Sequence, residues 1–375
     1  MRIAIINHGV FPYLLGGMER HTHFLATHLS RIGAHVDVVV PELTAQQSAD
    51  FTLQGNPYGL IQCPWPPAPV WLMANYRYSH SAIEPLTRNG YDAVYCQGFN
   101  ALAYLREVPK RDRALTLLNM HGMEMFKTVS AWQTLKTTHM RLAAKYQVKL
   151  ADRVISSGGR LTEETSRFLS VGKDRIDVIP NGVDPDHIDR IAPAALHSSE
   201  RPQFVFIGRL AENKGVHVLC QAFKGIEEAD LTIIGTGPLE ADLRSRFARG
   251  NVRFVGALGD VEMFGQLKSA DCFVFASLYE GMPTVILEAM VCGRPVIATD
   301  IGAVKTMVGD DNGFVVEPGA VDQLRQAIEA FLALPQAEQR RRGEASRAKV
   351  ARLFAWPLVA RQTLDVIERH LSGAR

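Results

Sequence analysis

The chain has 375 residues, of which 47% are hydrophobic and 21% charged, with a formal net charge of +2. That length exceeds what one hydrophobic core usually organises, so two domains are expected. The composition excludes long disordered tails, and the near-neutral charge excludes nucleic acid as a partner drawn by whole-chain attraction.

The elements alternate in chain order. RIAIIN (Arg2–Asn7) predicts a short buried strand. A Gly-rich turn and a helix from Met18 to Ile32 follow, ending at Gly33. VDVVV (Val36–Val40), AVYC (Ala93–Cys96), ALTLL (Ala114–Leu118), RVISS (Arg153–Ser157) and IDVI (Ile176–Ile179) predict further strands with helical segments between most of them. From Pro185 to Pro202 the pattern breaks. Pro193 and His197-Ser198-Ser199 interrupt it, and no long apolar run occurs, so this stretch reads as a linker. The rhythm then restarts with FVFIG (Phe204–Gly208), LTIIG (Leu231–Gly235), VRFVG (Val252–Gly256), CFVFA (Cys272–Ala276), PVIA (Pro295–Ala298) and GFVV (Gly313–Val316). Helices close the chain from Val321. Apolar strands alternating with helices predict α/β architecture: two doubly wound parallel sheets, facing a cleft. In such sheets ligands bind beyond the carboxyl ends of the strands.

The five cysteines, Cys63, Cys96, Cys220, Cys272 and Cys292, include no CxxC pair. They predict buried reduced thiols in a cytoplasmic protein. The four-residue apolar run at the N-terminus is too short for a signal peptide, and no stretch reaches transmembrane length. Any membrane contact is therefore expected to be peripheral, at the inner face.

Four strand ends carry candidate chemistry. After CFVFA comes YEGMPTVILEAM (Tyr279–Met290). Glu280 falls in a loop, Pro283 suits a helix start, and Glu288 falls inside the helix, which should stop at Gly293. The amides of Thr284 and Val285 and the helix dipole make an anion site between the two carboxylates. This suits a nucleotide sugar, with diphosphate on the amides, ribose on Glu288 and sugar hydroxyls on Glu280. After FVFIG comes GRLAENKG (Gly208–Gly215), whose Arg209 and Lys214 suit a diphosphate. Alone, that pair equally suits two solvated loop cations. Gly16 and Gly17 in LGGMERH permit close backbone approach to a ligand. In NMHGME (Asn119–Glu124), His121 stands at a strand end, although a lone histidine is usually structural.

Other patterns are discounted. GTGPLE (Gly235–Glu240) lacks the third glycine of a dinucleotide fingerprint, so Gly237 belongs to a turn lining the ligand site. Asp184-Pro185-Asp186 is formally a D-x-D but lies in the linker and reads as structural. His21, His23 and His28 lack i,i+4 spacing, so zinc is not expected. No metal and no organic cofactor are expected.

These stretches together resemble the retaining glycosyltransferases of family 4 (glycosyl transferases group 1), across nearly the whole chain. The resemblance rests on GGMERH, His121-Gly122, VIPNGVD (Val178–Asp184), FIGRLAENKG, IIGTGPLEADL, SLYEGMPTVILEAMVCGRPVIATDIG and a late FAW (Phe354–Trp356). It implies a GT-B fold of two Rossmann-like domains and activated-sugar donors, mostly UDP- or GDP-sugars, with no obligate metal. Residues 1–184 would bind the acceptor, 185–202 would form the linker and 203–355 would bind the nucleotide sugar. The terminal helix, 356–375, would cross back to the first domain. By resemblance Arg209 and Lys214 hold the diphosphate, Glu288 the ribose, and Glu280 and His121 the donor sugar. Gly16, Gly17, Gly208, Gly237, Thr284 and Val285 complete the donor set. The expected reaction moves a hexose or N-acetylhexosamine to a hydroxyl acceptor, a sugar or lipid-linked sugar, in cell-surface polysaccharide or glycolipid synthesis. A sugar-nucleotide 2-epimerase and a non-catalytic nucleotide-sugar-binding module are the alternatives. The sequence departs from the family at SSGGR (Ser156–Arg160) and over Glu42–Ala74, which contains CPWPPAPVW.

Residues 101–160 hold eleven Lys and Arg against Glu107, Asp112, Glu124 and Asp152. Arg141, Lys145 and Lys149 repeat at i+4, predicting a cationic stripe with Leu135, Leu142 and Tyr146 elsewhere on the helix. Such a stripe suits an anionic membrane surface or a merely solvated face equally.

Overall fold

A computed structural model describes residues 1–14, 16–127, 131–192, 201–248 and 250–373. Leu15, and Pro193 and His197-Ser198-Ser199 of the expected linker, lie outside the described residues. The chain divides into two compact units. One comprises Met1–Gly182 and the segment from Trp356 onward, and the other Val183–Ala355.

The first unit is built on seven parallel strands: β1 (Arg2–Ile6), β2 (His35–Pro41), β3 (Gly59–Cys63), β4 (Ala93–Gln97), β5 (Leu115–Asn119), β6 (Arg153–Ser156) and β7 (Ile176–Val178). Their spatial order is β3-β2-β1-β4-β5-β6-β7. The second unit has six: β8 (Gln203–Ile207), β9 (Asp230–Ile234), β10 (Val252–Gly256), β11 (Cys272–Phe275), β12 (Val296–Thr299) and β13 (Gly313–Val316). Their order is β10-β9-β8-β11-β12-β13. Both sheets therefore reverse direction of growth once, between β1 and β4 and between β8 and β11. In a doubly wound fold that reversal opens a crevice at the strands' carboxyl ends.

Both faces of each sheet are covered, which is why the strands read as continuous apolar runs. In β1, Ile3 and Ile5 enter one core cluster while Ala4 and Ile6 enter the other. In β8, Val205 faces one cluster and Phe204 and Phe206 the other. The period-2 alternation of a strand thus divides one run between two interiors. The terminal helix Trp356–Ser372 packs on the helix Gly17–Arg31 and fills the first unit's core with Trp356, Val359, Ala360 and Ile367. All five cysteines are buried and free. Burial pushes their thiols up, Cys63 to about 11 and Cys292 to about 12.

Two expectations are corrected, and a span left without a predicted element gains one. The linker does not begin at Pro185: Pro185–Ile191 is a helix, capped when Asp184 accepts the His187 N–H at 3.0 Å. Its Ile188 is buried in the second unit's core. The span Glu42–Ala74 contains a seventh strand, β3, paired with β2 at the sheet edge. Finally, Arg141, Lys145 and Lys149 do not form an outward stripe. On the helix Ala131–Leu150, Arg141 is half-buried, with its Nε donating to the Met125 carbonyl at 2.7 Å and its guanidinium 5.6 Å from the Phe126 ring centre.

Candidate active site

In the second unit, the loops after β8 and β11 meet at the point where the sheet reverses. Gly215 ends the short turn Glu212–Lys214 in a left-handed conformation, with φ of 60°. A Cβ there would come within 2.0 Å of the Ala276 carbonyl oxygen. Only glycine permits both that backbone angle and that approach. The two loops are then joined by the Leu278 N–H donating to the Asn213 carbonyl at 2.8 Å. The result brings Lys214 against Glu280, and the two form an ion pair. Both side chains are partly exposed, so a ligand can reach them.

The flanking loops continue this floor. Leu210 donates its N–H to the Thr236 carbonyl at 2.8 Å, and a Cβ on Gly237 would lie 2.4 Å from the Leu210 carbonyl oxygen. Gly237 is thus demanded by backbone packing as well as suited to a ligand site. On the other side, Ala303 donates to the Gly281 carbonyl at 2.9 Å. Gly208 directly follows β8, and Arg209 beside it is exposed, with no ion-pair partner among the described residues.

The helix Thr284–Val291 starts at this same end. Pro283 occupies its N-cap, one position before the first helical turn where the sequence placed it. The first bond within the helix comes from Ile286 N–H to the Pro283 carbonyl at 3.3 Å, so the N–H groups of Thr284 and Val285 have no partner inside the helix. Ile286, Leu287, Ala289, Met290 and Val291 are buried, which fixes the helix against the core. The three residues left partly open are Thr284, Val285 and Glu288. The predicted ligands therefore share the one face that packing leaves accessible. Glu280 and Glu288 lie on different elements, loop and helix, with two bare amides and a positive helix terminus between them in sequence.

The first unit has its own polar cluster where β1 and β4 diverge. The Asn7 side-chain amide donates to Thr22 Oγ1 at 3.1 Å, and Gln97 Nε2 donates to the same oxygen at 3.1 Å. All three residues are buried. With its amide nitrogen on Thr22, Gln97 turns its carbonyl oxygen to His121 Nε2, and those two atoms are hydrogen-bonded. That partner assigns the proton of His121 to Nε2 and leaves Nδ1 as an acceptor. His121 adopts φ of 60°, a strained angle for a non-glycine residue, and its own N–H donates to Asn119 Oδ1 at 2.8 Å. Its ring packs edge-on to His21 at 4.9 Å, and His21 in turn to Trp356 at 5.3 Å. Burial lowers His21 to about 4, and burial with the neighbouring His21 puts His121 well below its usual range. Both imidazoles are neutral at physiological pH.

Gly16 caps the helix Gly17–Arg31, and the Glu19 carboxylate folds back over it. Glu19 is buried and sits 3.1 Å from His8 Nε2. A Cβ added at Gly17 would meet nothing within 4 Å, so protein packing does not require glycine there. The sequence reading missed Asn7, His8, Thr22 and Gln97. For Asn7 and Gln97 the available signal was a polar residue at the end of each buried strand beside the reversal point; Thr22 and His8 carry no such mark.

Among the described residues, no three His, Cys, Asp or Glu side chains converge as a metal site would require.

Known proteins share this organisation. Residues 15–187 match the family model described as Glycosyltransferase Family 4, and residues 201–333 match Glycosyl transferases group 1. The chain is 30% identical over 406 residues to an alpha-maltose-1-phosphate synthase of Mycobacterium tuberculosis, covering 98% of this chain and 99% of that protein. It is 26% identical to a glycogen synthase of the same organism, covering 100% and 96%. Its fold matches a sucrose-phosphate synthase of Thermosynechococcus elongatus with a TM-score of 0.80 at 21% identity over the full length of both chains. It also matches Anabaena HepE, solved with UDP and glucose, with a TM-score of 0.72 at 18% identity over 98% and 99% of the two chains.

Proposed function

The chain belongs to family 4 of the glycosyltransferases, glycosyl transferases group 1, with a GT-B fold, and on that premise we propose a specific reaction. It transfers a hexose or N-acetylhexosamine from a UDP- or GDP-sugar to a hydroxyl acceptor, with retention at the anomeric carbon. The observation that carries this reading is the Lys214–Glu280 pair at the reversal point of the second sheet, in the unit whose helix offers the bare amides of Thr284 and Val285. Cations beside free amides suit a diphosphate, and a carboxylate beside them suits sugar hydroxyls.

In this reading Arg209, Lys214 and the two amides take the diphosphate, and Glu288 takes the ribose. Gly208 and Gly237 allow the backbone to lie close. Glu280 takes sugar hydroxyls in the second unit; in the first unit the Nδ1 of His121 is an acceptor for a hydroxyl ligand. Gly16 and the open position at Gly17 let a ligand approach the start of the first helix. The bond from the anomeric carbon to the diphosphate oxygen breaks as the acceptor oxygen attacks the same face. The departing phosphate oxygen takes the acceptor's proton. Arg209, Lys214 and the helix amides stabilise the charge that develops on it. No divalent metal is required, because those groups already serve that role and Asp184 is engaged as a helix cap. A structural relative solved with UDP supports the UDP-sugar reading. Relatives named as glycogen and alpha-maltose-1-phosphate synthases, and a phosphatidyl-myo-inositol mannosyltransferase of Mycobacterium leprae at 32% identity over 53% of this chain, support sugar or lipid-linked acceptors.

Proton NMR of the product from an α-linked gluco- or galacto-type donor tests the stereochemistry. The anomeric coupling of an α product is expected, and a β product refutes same-face attack.

A further inference from the structure

The helix Ala131–Leu150 presents to solvent a face that a water-exposed helix normally lacks. Trp132 is 64% exposed, Leu135 65%, Leu142 64% and Tyr146 44%. At 100° per residue these four fall in one stripe roughly 80° wide and roughly 21 Å long. The side turned away from the stripe is already used: Ala144 and Val148 are buried, Met140 packs on the core, and Gln147 donates to the Gly98 carbonyl at 2.6 Å. The helix is therefore apolar on both sides, with only one side covered by its own unit.

The surroundings of the outer stripe decide what covers it. From Met125 to Ala151 there is no Asp or Glu, while Lys127, Lys136, Arg141, Lys145 and Lys149 all fall in this segment. Lys136 flanks the stripe on one side, and its ammonium stands 5.0 Å from the Trp132 ring centre. Lys149 and Lys145 flank the other side. Arg141 points inward and takes no part. The exposed His139 also falls in the stripe, beside Trp132 and Tyr146. A mainly apolar centre with aromatic residues at both ends, flanked by lysines and by no carboxylate of the same helix, matches a helix lying in a bilayer interface. Two copies of this face would oppose like charges, which disfavours self-association through it. No helix among the described residues is long and apolar enough to cross a membrane, so the contact would be in-plane.

We propose that this helix docks the first unit on an anionic lipid surface, with Trp132, Leu135, Leu142 and Tyr146 inserted and Lys136, Lys145 and Lys149 at the headgroups. The apolar residues anchor the chain and the lysines select the lipid. This goes beyond the transfer reaction and does not depend on which sugar or nucleotide is used.

The full chain is sedimented with vesicles of neutral phosphatidylcholine, and with vesicles containing a third phosphatidylglycerol. Binding is expected to the anionic vesicles only, weakening with salt. Replacing Trp132, Leu135, Leu142 and Tyr146 by Ser should weaken it about tenfold or more. Lys136→Gln and Lys149→Gln should weaken it about fivefold each. Circular dichroism and nucleotide binding matching wild type would show that the Ser variant is folded. Trp emission should shift to the blue with anionic vesicles, and Trp132→Phe should abolish the shift. Absence of wild-type binding, unchanged binding by the folded Ser variant, or a wild-type dimer that the Ser variant dissolves would each overturn the proposal.

Discussion

Lys214 and Glu280 are ion-paired across the reversal point of the second sheet, although 66 residues separate them in the chain. The loop after β8 supplies the cation and the loop after β11 the anion. The pairing fixes both side chains at that reversal point, each of them partly exposed. On the proposed function, a diphosphate arriving there would compete with Glu280 for Lys214 and free the carboxylate to accept from sugar hydroxyls. On that proposal the ion pair is a resting arrangement whose two halves would separate into two ligand contacts.

Lys214→Ala should therefore lower turnover by about 10²–10³, the usual cost of losing one group that stabilises charge in the transition state. The Leu278–Asn213 backbone bond remains to join the two loops in the variant, so the melting temperature should change little. Steady-state kinetics beside a thermal melt checks both. Near-normal turnover would remove Lys214 from the charge-stabilising role.

His21 predicts a pH dependence of stability. Burial lowers its folded-state pKa from 6.5 to about 4. Between those values the unfolded chain binds a proton that the folded chain does not. Stability is then fully present above about pH 6.5 and declines as pH falls toward 4, by about 3 kcal/mol in all. His121, shifted the same way, adds to the decline. His21→Gln should reduce the drop in melting temperature between pH 7.5 and pH 5. An equal drop in both proteins would show that His21 is not responsible.

Metal dependence separates the two readings of Asp184 and Asp186. Asp184 caps the helix Pro185–Ile191, which accounts for its place without an ion. Turnover should survive exhaustive chelation within about twofold, against the 10²–10³ loss expected when a charge-stabilising group is removed. Loss on chelation, restored by Mg²⁺ or Mn²⁺, would contradict this.

Sequence and structure agree most where chemistry is local in the chain. The loop and helix around Glu280, Thr284, Val285 and Glu288 were legible because strand, loop and helix start lie within about twenty consecutive residues. Strand β3 was not, because GLIQC is short, mostly half-buried and at the sheet edge, so neither alternation nor a continuous apolar run marks it. The partnership of Gln97 with His121 was hidden for another reason. It depends on register, with Gln97 paired to Asn119 on the neighbouring strand, two residues before His121. The basic helix shows a third limit. Its i+4 spacing puts Arg141, Lys145 and Lys149 on one side, but spacing cannot tell which side the core will take. Phe126 and the Met125 carbonyl claimed Arg141.

The central claim is that the second unit holds a nucleotide sugar through Lys214, Arg209, the Thr284 and Val285 amides and Glu288. Thermal unfolding with UDP, GDP and ADP and their sugars, for wild type and for Glu288→Gln, tests it most directly. At 100 times its dissociation constant the true ligand should stabilise the fold by about 2.7 kcal/mol. UDP or GDP, with its sugar, should produce that shift in wild type. Loss of a charge-assisted ribose contact should weaken the same ligand about tenfold or more in the variant. No shift with any nucleotide, or an equal shift in the variant, would contradict the account.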